Sequence, residues 1–90
     1  MALEERAYHR ADPTRSVDTG PQTWFELGLM YCNGREVALD LVEAHKWFNI
    51  AATHGNEAAR RYRAEIAREL TRAEIGDAQR RAREWLARRH

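Results

Sequence analysis

The chain has 90 residues, of which 43% are hydrophobic, and a formal net charge of +1. This length allows one small domain, near the size at which a single core is only just sufficient, and the hydrophobic content excludes a disordered chain. No apolar run approaches the ~20 residues of a membrane span, and residues 1–10 lack the apolar core of a signal peptide. Cys32 is the single cysteine, so no internal disulfide is possible. We therefore expect a cytoplasmic protein that does not span a membrane.

Residues 1–20 are predicted to form a flexible N-terminal tail. After Tyr8 this segment contains little apolar material and includes Pro13, Ser16 and Gly20. Residues 2–8 could form one or two helical turns, but a helix of that length is unstable alone in water. The folded domain is therefore expected to occupy residues 21–90.

The first predicted helix has two competing start signals. Pro21 suits a first helical turn, and Thr23 forms a capping-box pattern with Glu26. The helix is expected to end by Asn33 or Gly34, because glycine can take the left-handed conformation that closes a helix. Its apolar residues recur at offsets of three and four along one side, and they are Trp24, Leu27, Gly28 and Tyr31.

The second predicted helix begins at Asp40, which forms a capping-box pattern with Glu43, and it ends at Thr53 or His54, before Gly55. Two amphipathic helices joined by a short turn fold back on each other, because neither can bury its apolar stripe alone. Residues 21–55 are therefore predicted to form a helical hairpin. The stripe of this second helix consists of Leu41, Ala44, Phe48, Ala51 and Ala52.

Two further helices are predicted in residues 56–90. Asn56 is placed to cap the third helix, and Thr71 forms a capping box with Glu74 at the start of the fourth. The expected buried residues are Ala58, Ala59, Tyr62, Ile66 and Leu70 in the third helix, and Ile75, Ala78, Ala82, Trp85 and Leu86 in the fourth. We predict an all-α antiparallel array of about four helices, in which residues 56–90 form a capping pair on the hairpin. Trp85 is expected to be the side chain that docks this pair.

The hairpin resembles a known helical repeat. The pattern W-x-x-L-G-x-x-Y followed by A-x-x-x-F-x-x-A resembles a tetratricopeptide helix pair, and the longer turn between its halves is similar to that of a Sel1-like repeat. Residues 70–85 also resemble the terminal segment found after bacterial Sel1-like repeats. The family usually has a second glycine just before the valine, where this chain has Glu36. The signature residues are Trp24, Leu27, Gly28, Tyr31, Gly34, Val37, Asp40, Ala44, Trp47, Phe48, Ala51, Ala52, Gly55 and Ala58.

This resemblance implies a non-catalytic adaptor of a bacterial-type cytoplasm, with another protein as its partner. The first predicted helix carries a second apolar line, Phe25, Leu29 and Cys32, beside the hairpin stripe. A helix that is apolar on two sides either is buried on both or binds something. The third helix could cover this line, or a partner's peptide or helix could lie in the groove along it. For the second case the predicted partner-binding residues are Phe25, Leu29 and Asn33.

Catalytic, cofactor and metal sites are not expected. The four histidines do not form the i, i+4 pair of a helical zinc site. His45 is interpreted as a surface histidine or one with satisfied hydrogen bonds. Cys32 is interpreted as a small apolar side chain, because nothing nearby in sequence orients a base toward it. Glu43 and Glu74 are both explained by helix capping.

The charge distribution leaves an alternative function open. Residues 60–90 hold ten arginines and five acidic residues, whereas residues 1–59 hold five basic and nine acidic ones. Such a basic half attracts nucleic acid or another polyanion, although aromatic residues for base stacking are not interleaved with the arginines. We regard nucleic-acid binding as the lesser alternative. The uneven charge could also support a homodimer; the other possibility, slightly favoured, is a monomer in which the third helix or the N-terminal tail covers the second apolar line.

Overall fold

The computed structural model describes residues 20–89, which form four α-helices and no strand. They are α1 (Pro21–Asn33), α2 (Leu41–Thr53), α3 (Glu57–Ala67) and α4 (Arg72–Arg88). The predicted all-α fold of about four helices is therefore confirmed. The predicted tail lies outside the described residues, apart from Gly20. None of these four helices is both long and apolar enough to cross a membrane.

The proline, and not the threonine, determines where α1 begins. Gly20 is the N-cap residue and makes no side-chain hydrogen bond, so Pro21 is the first helical residue. The Thr23-x-x-Glu26 pattern consequently lies inside the helix. There the Glu26 carboxylate accepts a hydrogen bond from the side-chain amide of Gln22 at 3.1 Å. Of two start signals that are two residues apart, the one with the fixed φ of proline prevails.

The other three helices begin at the predicted caps. The side chain of Asp40 accepts from the Glu43 amide at 3.0 Å, and that of Asn56 accepts from the Ala59 amide at 2.8 Å. At α4 the capping box is complete, because Thr71 and Glu74 each bond the other's backbone amide, at 3.0 and 2.8 Å. These short-range bonds satisfy amides that a helix start would otherwise leave unpaired.

The hairpin of α1 and α2 forms the core of the domain. The Asp40 amide donates to the Tyr31 carbonyl at 3.0 Å, and at the far end the rings of Trp24 and His54 are 5.0 Å apart, so the helices are antiparallel. The two helices meet where Gly28 faces the fully buried ring of Phe48. Signature residues that are buried here are Trp24, Leu27, Gly28, Ala44, Trp47, Phe48, Ala51 and Ala52.

The turn between α1 and α2 contains two residues in the left-handed region. Gly34 closes α1 with a φ of 68°, and Glu36 has a φ of 69°. Glu36 therefore adopts a conformation that favours glycine, at the position where the Sel1-like pattern has one. A non-glycine residue in this region is strained by about 1–2 kcal/mol.

Replacing Gly34 by alanine is expected to lower the free energy of unfolding by about 1–2 kcal/mol. The alanine would have to keep the left-handed φ of Gly34, and its Cβ would lie 3.3 Å from the Cβ of Leu39. Urea denaturation of the two proteins measures the loss. Gly34→Asn is the control, because asparagine tolerates the left-handed region better and should lose less. Equal stabilities for the alanine variant and the wild type would contradict the prediction.

The helices α3 and α4 pack on different sides of α2. Trp47 and Glu43 contact α4, whereas Phe48 and Asn49 contact α3. Successive residues of a helix are rotated by about 100°, so Trp47 and Glu43 face away from Asn49. Direct contact between α3 and α4 is small by comparison with their contact with α2. The helices α3 and α4 thus enclose the hairpin from two directions, with α2 at the centre.

The side chain of Trp85 docks α4, as predicted. Its indole is 5.2 Å from the ring of Trp47 and 5.5 Å from that of Trp24, edge to face in both cases. The guanidinium of Arg89 lies over the rings of Trp24 and Trp85, at 5.0 and 5.4 Å. We call Trp24, Trp47 and Trp85 the tryptophan cluster. It joins α4 to both helices of the hairpin.

Glu43 does more than the predicted capping. Its amide bonds Asp40, but its carboxylate accepts from Lys46 and from Arg81, both at 2.9 Å. Arg81 also pairs with Asp77 at 2.9 Å. The carboxylate of Glu43 is therefore an electrostatic contact between α2 and α4, and the interpretation of Glu43 as a capping residue alone was wrong.

Candidate protein-binding surface

An aromatic cluster lies where α1, α2 and α3 meet. The ring of Tyr62 is 5.4 Å from both Phe25 and Phe48, and the rings of Phe25 and Phe48 are 5.8 Å apart. Phe48 is fully buried, Phe25 is half-buried, and Tyr62 is 38% exposed. The cluster thus extends from the core to the surface, and Tyr62 is its outermost member.

The three predicted partner-binding residues follow one line along α1. Leu29 lies one turn after Phe25 and is half-buried against the core. Asn33 lies one turn further, is exposed, and ends the helix. The line therefore changes from apolar to polar toward the C-terminal end of α1. α3 covers its Phe25 end in part, through the contact with Tyr62.

Two carboxylates, that of Glu65 in α3 and that of Glu69 just after its end, lie near the C-terminal end of this line. Burial raises the pKa of the Cys32 thiol above its ordinary value, and the charges of Glu69 and Glu65 raise it further. This shift is opposite to the one that activates a cysteine nucleophile. Neither carboxylate makes an ion pair with another residue between 20 and 89. The surface between α1 and α3 therefore has an apolar end and an acidic end.

Sequence reasoning did not identify the contribution of α3 to this surface. Tyr62 was predicted to be buried, and nothing in the sequence distinguished Glu65 and Glu69 from the other acidic residues of 60–90. The three residues follow each other at offsets of three and four, so helical periodicity places them on one face. The sequence does not show on which side of the hairpin that face lies.

The arginines of α3 and α4 are divided between contacts within the domain and solvent. Arg63 donates to Asn49 at 2.5 Å, and Arg80 and Arg81 are both paired with acidic residues. Five others are exposed and form no ion pair within the part of the chain that the structure describes: Arg61, Arg68, Arg72, Arg83 and Arg88. These five are the residues available to a polyanion.

His45 is buried, in contrast to the interpretation that it lies at the surface or has satisfied hydrogen bonds. It is 3% exposed, and its Nδ1 has no hydrogen-bond partner among residues 20–89. Burial lowers its pKa below the ordinary 6.5, and the nearby positive charge of Arg63 lowers it further. The histidine is consequently held neutral in the α2–α3 interface.

The domain is expected to lose stability as the pH falls below 6.5. The unfolded chain takes up a proton at His45 near pH 6.5, whereas the folded chain does so only at a lower pH, so acidification favours the unfolded state. The stabilisation is complete above pH 6.5 and decreases toward the lowered pKa, by up to about 1.4 kcal/mol per pH unit. Urea denaturation between pH 8 and pH 5 measures it. The His45→Leu variant should lack this component, and equal slopes for the two proteins would contradict the assignment to His45.

No group of three or more His, Cys, Asp or Glu side chains within residues 20–89 is arranged to hold a metal ion. Comparison with known proteins found no family model, no curated protein and no solved structure that matches this chain.

Proposed function

We propose that this chain is a non-catalytic adaptor that binds a peptide or helix of another protein along the surface between α1 and α3. The observation that carries the proposal is the outward extension of the aromatic cluster, in which Tyr62 remains 38% exposed beside Phe25. Tyrosine with one face packed and one face in solvent is typical of interface anchors. Leu29 and Asn33 extend the surface along α1.

The resemblance to Sel1-like repeats supports this proposal. Glu43 contacts Arg81, 38 residues later, and one turn further along both helices Trp47 contacts Trp85. α2 and α4 therefore run in the same direction with a constant offset, which is how equivalent helices of successive repeats are related. We propose on this basis that the chain is a Sel1-like adaptor of a bacterial cytoplasm and that α4 corresponds to the second helix of a further, divergent repeat.

An affinity purification with matched surface variants tests the binding surface. Tyr62→Ala and Asn33→Arg alter its two ends, and Gln79→Arg introduces the same charge on the exposed side of α4. We expect a partner that the wild type and Gln79→Arg retain and that both surface variants lose, while all four proteins keep the same helical circular dichroism spectrum. A partner retained by the folded Tyr62→Ala and Asn33→Arg variants alike would overturn the assignment.

The five unpaired arginines favour polyanion binding as the second candidate. It predicts that the chain binds a generic RNA at ~50 mM salt, that the affinity falls steeply as salt is raised, and that Arg83→Gln/Arg88→Gln weakens it. Tyr62→Ala should have no effect on this binding. Absence of RNA binding at low salt would remove this candidate.

A further inference from the structure

We infer that the partner segment combines an apolar anchor with a basic residue, and this inference rests on the proposed function. The surface between α1 and α3 has two chemically different ends. Phe25, Leu29 and Tyr62 form the apolar end. Glu65 and Glu69 form the acidic end, near Cys32.

The unpaired state of the two carboxylates indicates the sign of the partner's charge. α3 contains three arginines and Arg68 follows it directly, yet neither Glu65 nor Glu69 is paired with any arginine of residues 20–89. Glu43, by contrast, faces another helix and is paired there with Arg81. An arginine or lysine of a partner would supply the missing cation, whereas an acidic or phosphorylated segment would be repelled.

The geometry also limits the spacing between the two partner residues. From Phe25 to Cys32 the helix rises by about 10 Å, at 1.5 Å per residue. An extended segment covers this distance in about three residues, at ~3.3 Å per residue, and a helical one in about seven. The stem of an arginine or lysine can pack along Leu29 while its charged group reaches the carboxylates.

A selection from random peptides tests this inference. Phage-displayed dodecamers are selected on the immobilised full chain and then measured as labelled synthetic peptides. We expect selected sequences to share an aromatic or large aliphatic residue followed or preceded by arginine or lysine at a spacing of about three or about seven. Their affinity should fall about fivefold for Glu65→Gln/Glu69→Gln, in keeping with two partly exposed ion pairs.

The control variant is Glu57→Gln/Glu84→Gln, which removes one acidic residue each from α3 and α4 outside this surface and should leave the affinity unchanged. Peptides that lose affinity on Tyr62→Ala but not on Glu65→Gln/Glu69→Gln would overturn the inference and leave the proposed function intact. Selected peptides without a basic residue, or no selected peptide at all, would overturn it as well, whatever the affinity purification shows.

Two other occupants of the surface are separate outcomes of the same experiment. A synthetic peptide of residues 1–19 that displaces the selected peptides would assign the surface to the chain's own N-terminal segment. Peptide binding that weakens as the chain becomes dimeric in sedimentation would assign it to a second copy. Either result would overturn the inference.

Discussion

Replacing Trp85 by alanine is expected to lower the free energy of unfolding by about 3 kcal/mol, at the lower end for a large aromatic side chain because Trp85 is only half-buried. The indole contacts Trp24 and Trp47 edge to face and also lies under the guanidinium of Arg89. The total free energy of unfolding of a domain of this size is about 5–13 kcal/mol. Chemical denaturation followed by circular dichroism measures the loss.

Hydrogen exchange shows where that loss occurs. Because Trp85 joins α4 to both helices of the hairpin, the amides of α4 should lose protection before those of α2. Arg88→Ala is the control, since Arg88 is exposed on the same helix and should change stability by less than about 0.5 kcal/mol. Similar losses for the two variants would show that helix propensity, and not the tryptophan cluster, holds α4 in place.

Replacing Gly28 by alanine is expected to destabilise the domain by about 2 kcal/mol, even though alanine is the better helix former. The new methyl group would lie no more than 3.0 Å from three atoms of the Phe48 ring. That ring is fully buried and contacts both Phe25 and Tyr62, so it has little freedom to move aside. Forcing a methyl group into a packed core costs about 1–3 kcal/mol or more, and the gain in helix propensity offsets about 1 kcal/mol of it.

The chain offers a matched control for this substitution. Gly76 lies within α4, is exposed, and has no atom within 4 Å of the position that a Cβ would take. Gly76→Ala should therefore raise the free energy of unfolding by about 1 kcal/mol through helix propensity alone. The same chemical change is thus expected to have opposite signs at the two positions. A stabilising Gly28→Ala would contradict the close contact between α1 and α2.

These two positions also bear on the proposed surface. Phe48 links the tight contact at Gly28 to the aromatic cluster, so displacing its ring by Gly28→Ala should move Tyr62 as well. Binding measurements on the surface therefore require variants that leave Phe48 untouched. Asn33→Arg meets this condition best, because the rings of Phe25 and Tyr62 both pack directly against Phe48. The unchanged circular dichroism spectrum is therefore an essential control for Tyr62→Ala.

The sequence by itself determined the elements of this fold, because their signals act over three or four residues. The caps at Asp40, Asn56 and Thr71 each bond an amide three positions away. The hairpin is also specified by residues close together in the sequence, since two apolar stripes separated by a short turn can bury each other without the rest of the chain. The docking role of Trp85 was also predictable, because a tryptophan in an otherwise charged helix stabilises the fold only if it is buried.

Only the tertiary structure decided how the elements face one another. Periodicity places Tyr62 and Glu65 on one face of α3, with Glu69 just after the helix end, but it does not say that this face meets α1 at Phe25. The burial of His45 and the pairing of Glu43 with Arg81, 38 residues later, likewise depend on α3 and α4 lying on different sides of α2. Such contacts arise between residues far apart in the sequence, and their energies become available only after the helices have packed. A helix's own pattern therefore specifies which residues are buried or polar, while the packing of its neighbours decides which of them form a surface that can bind a partner.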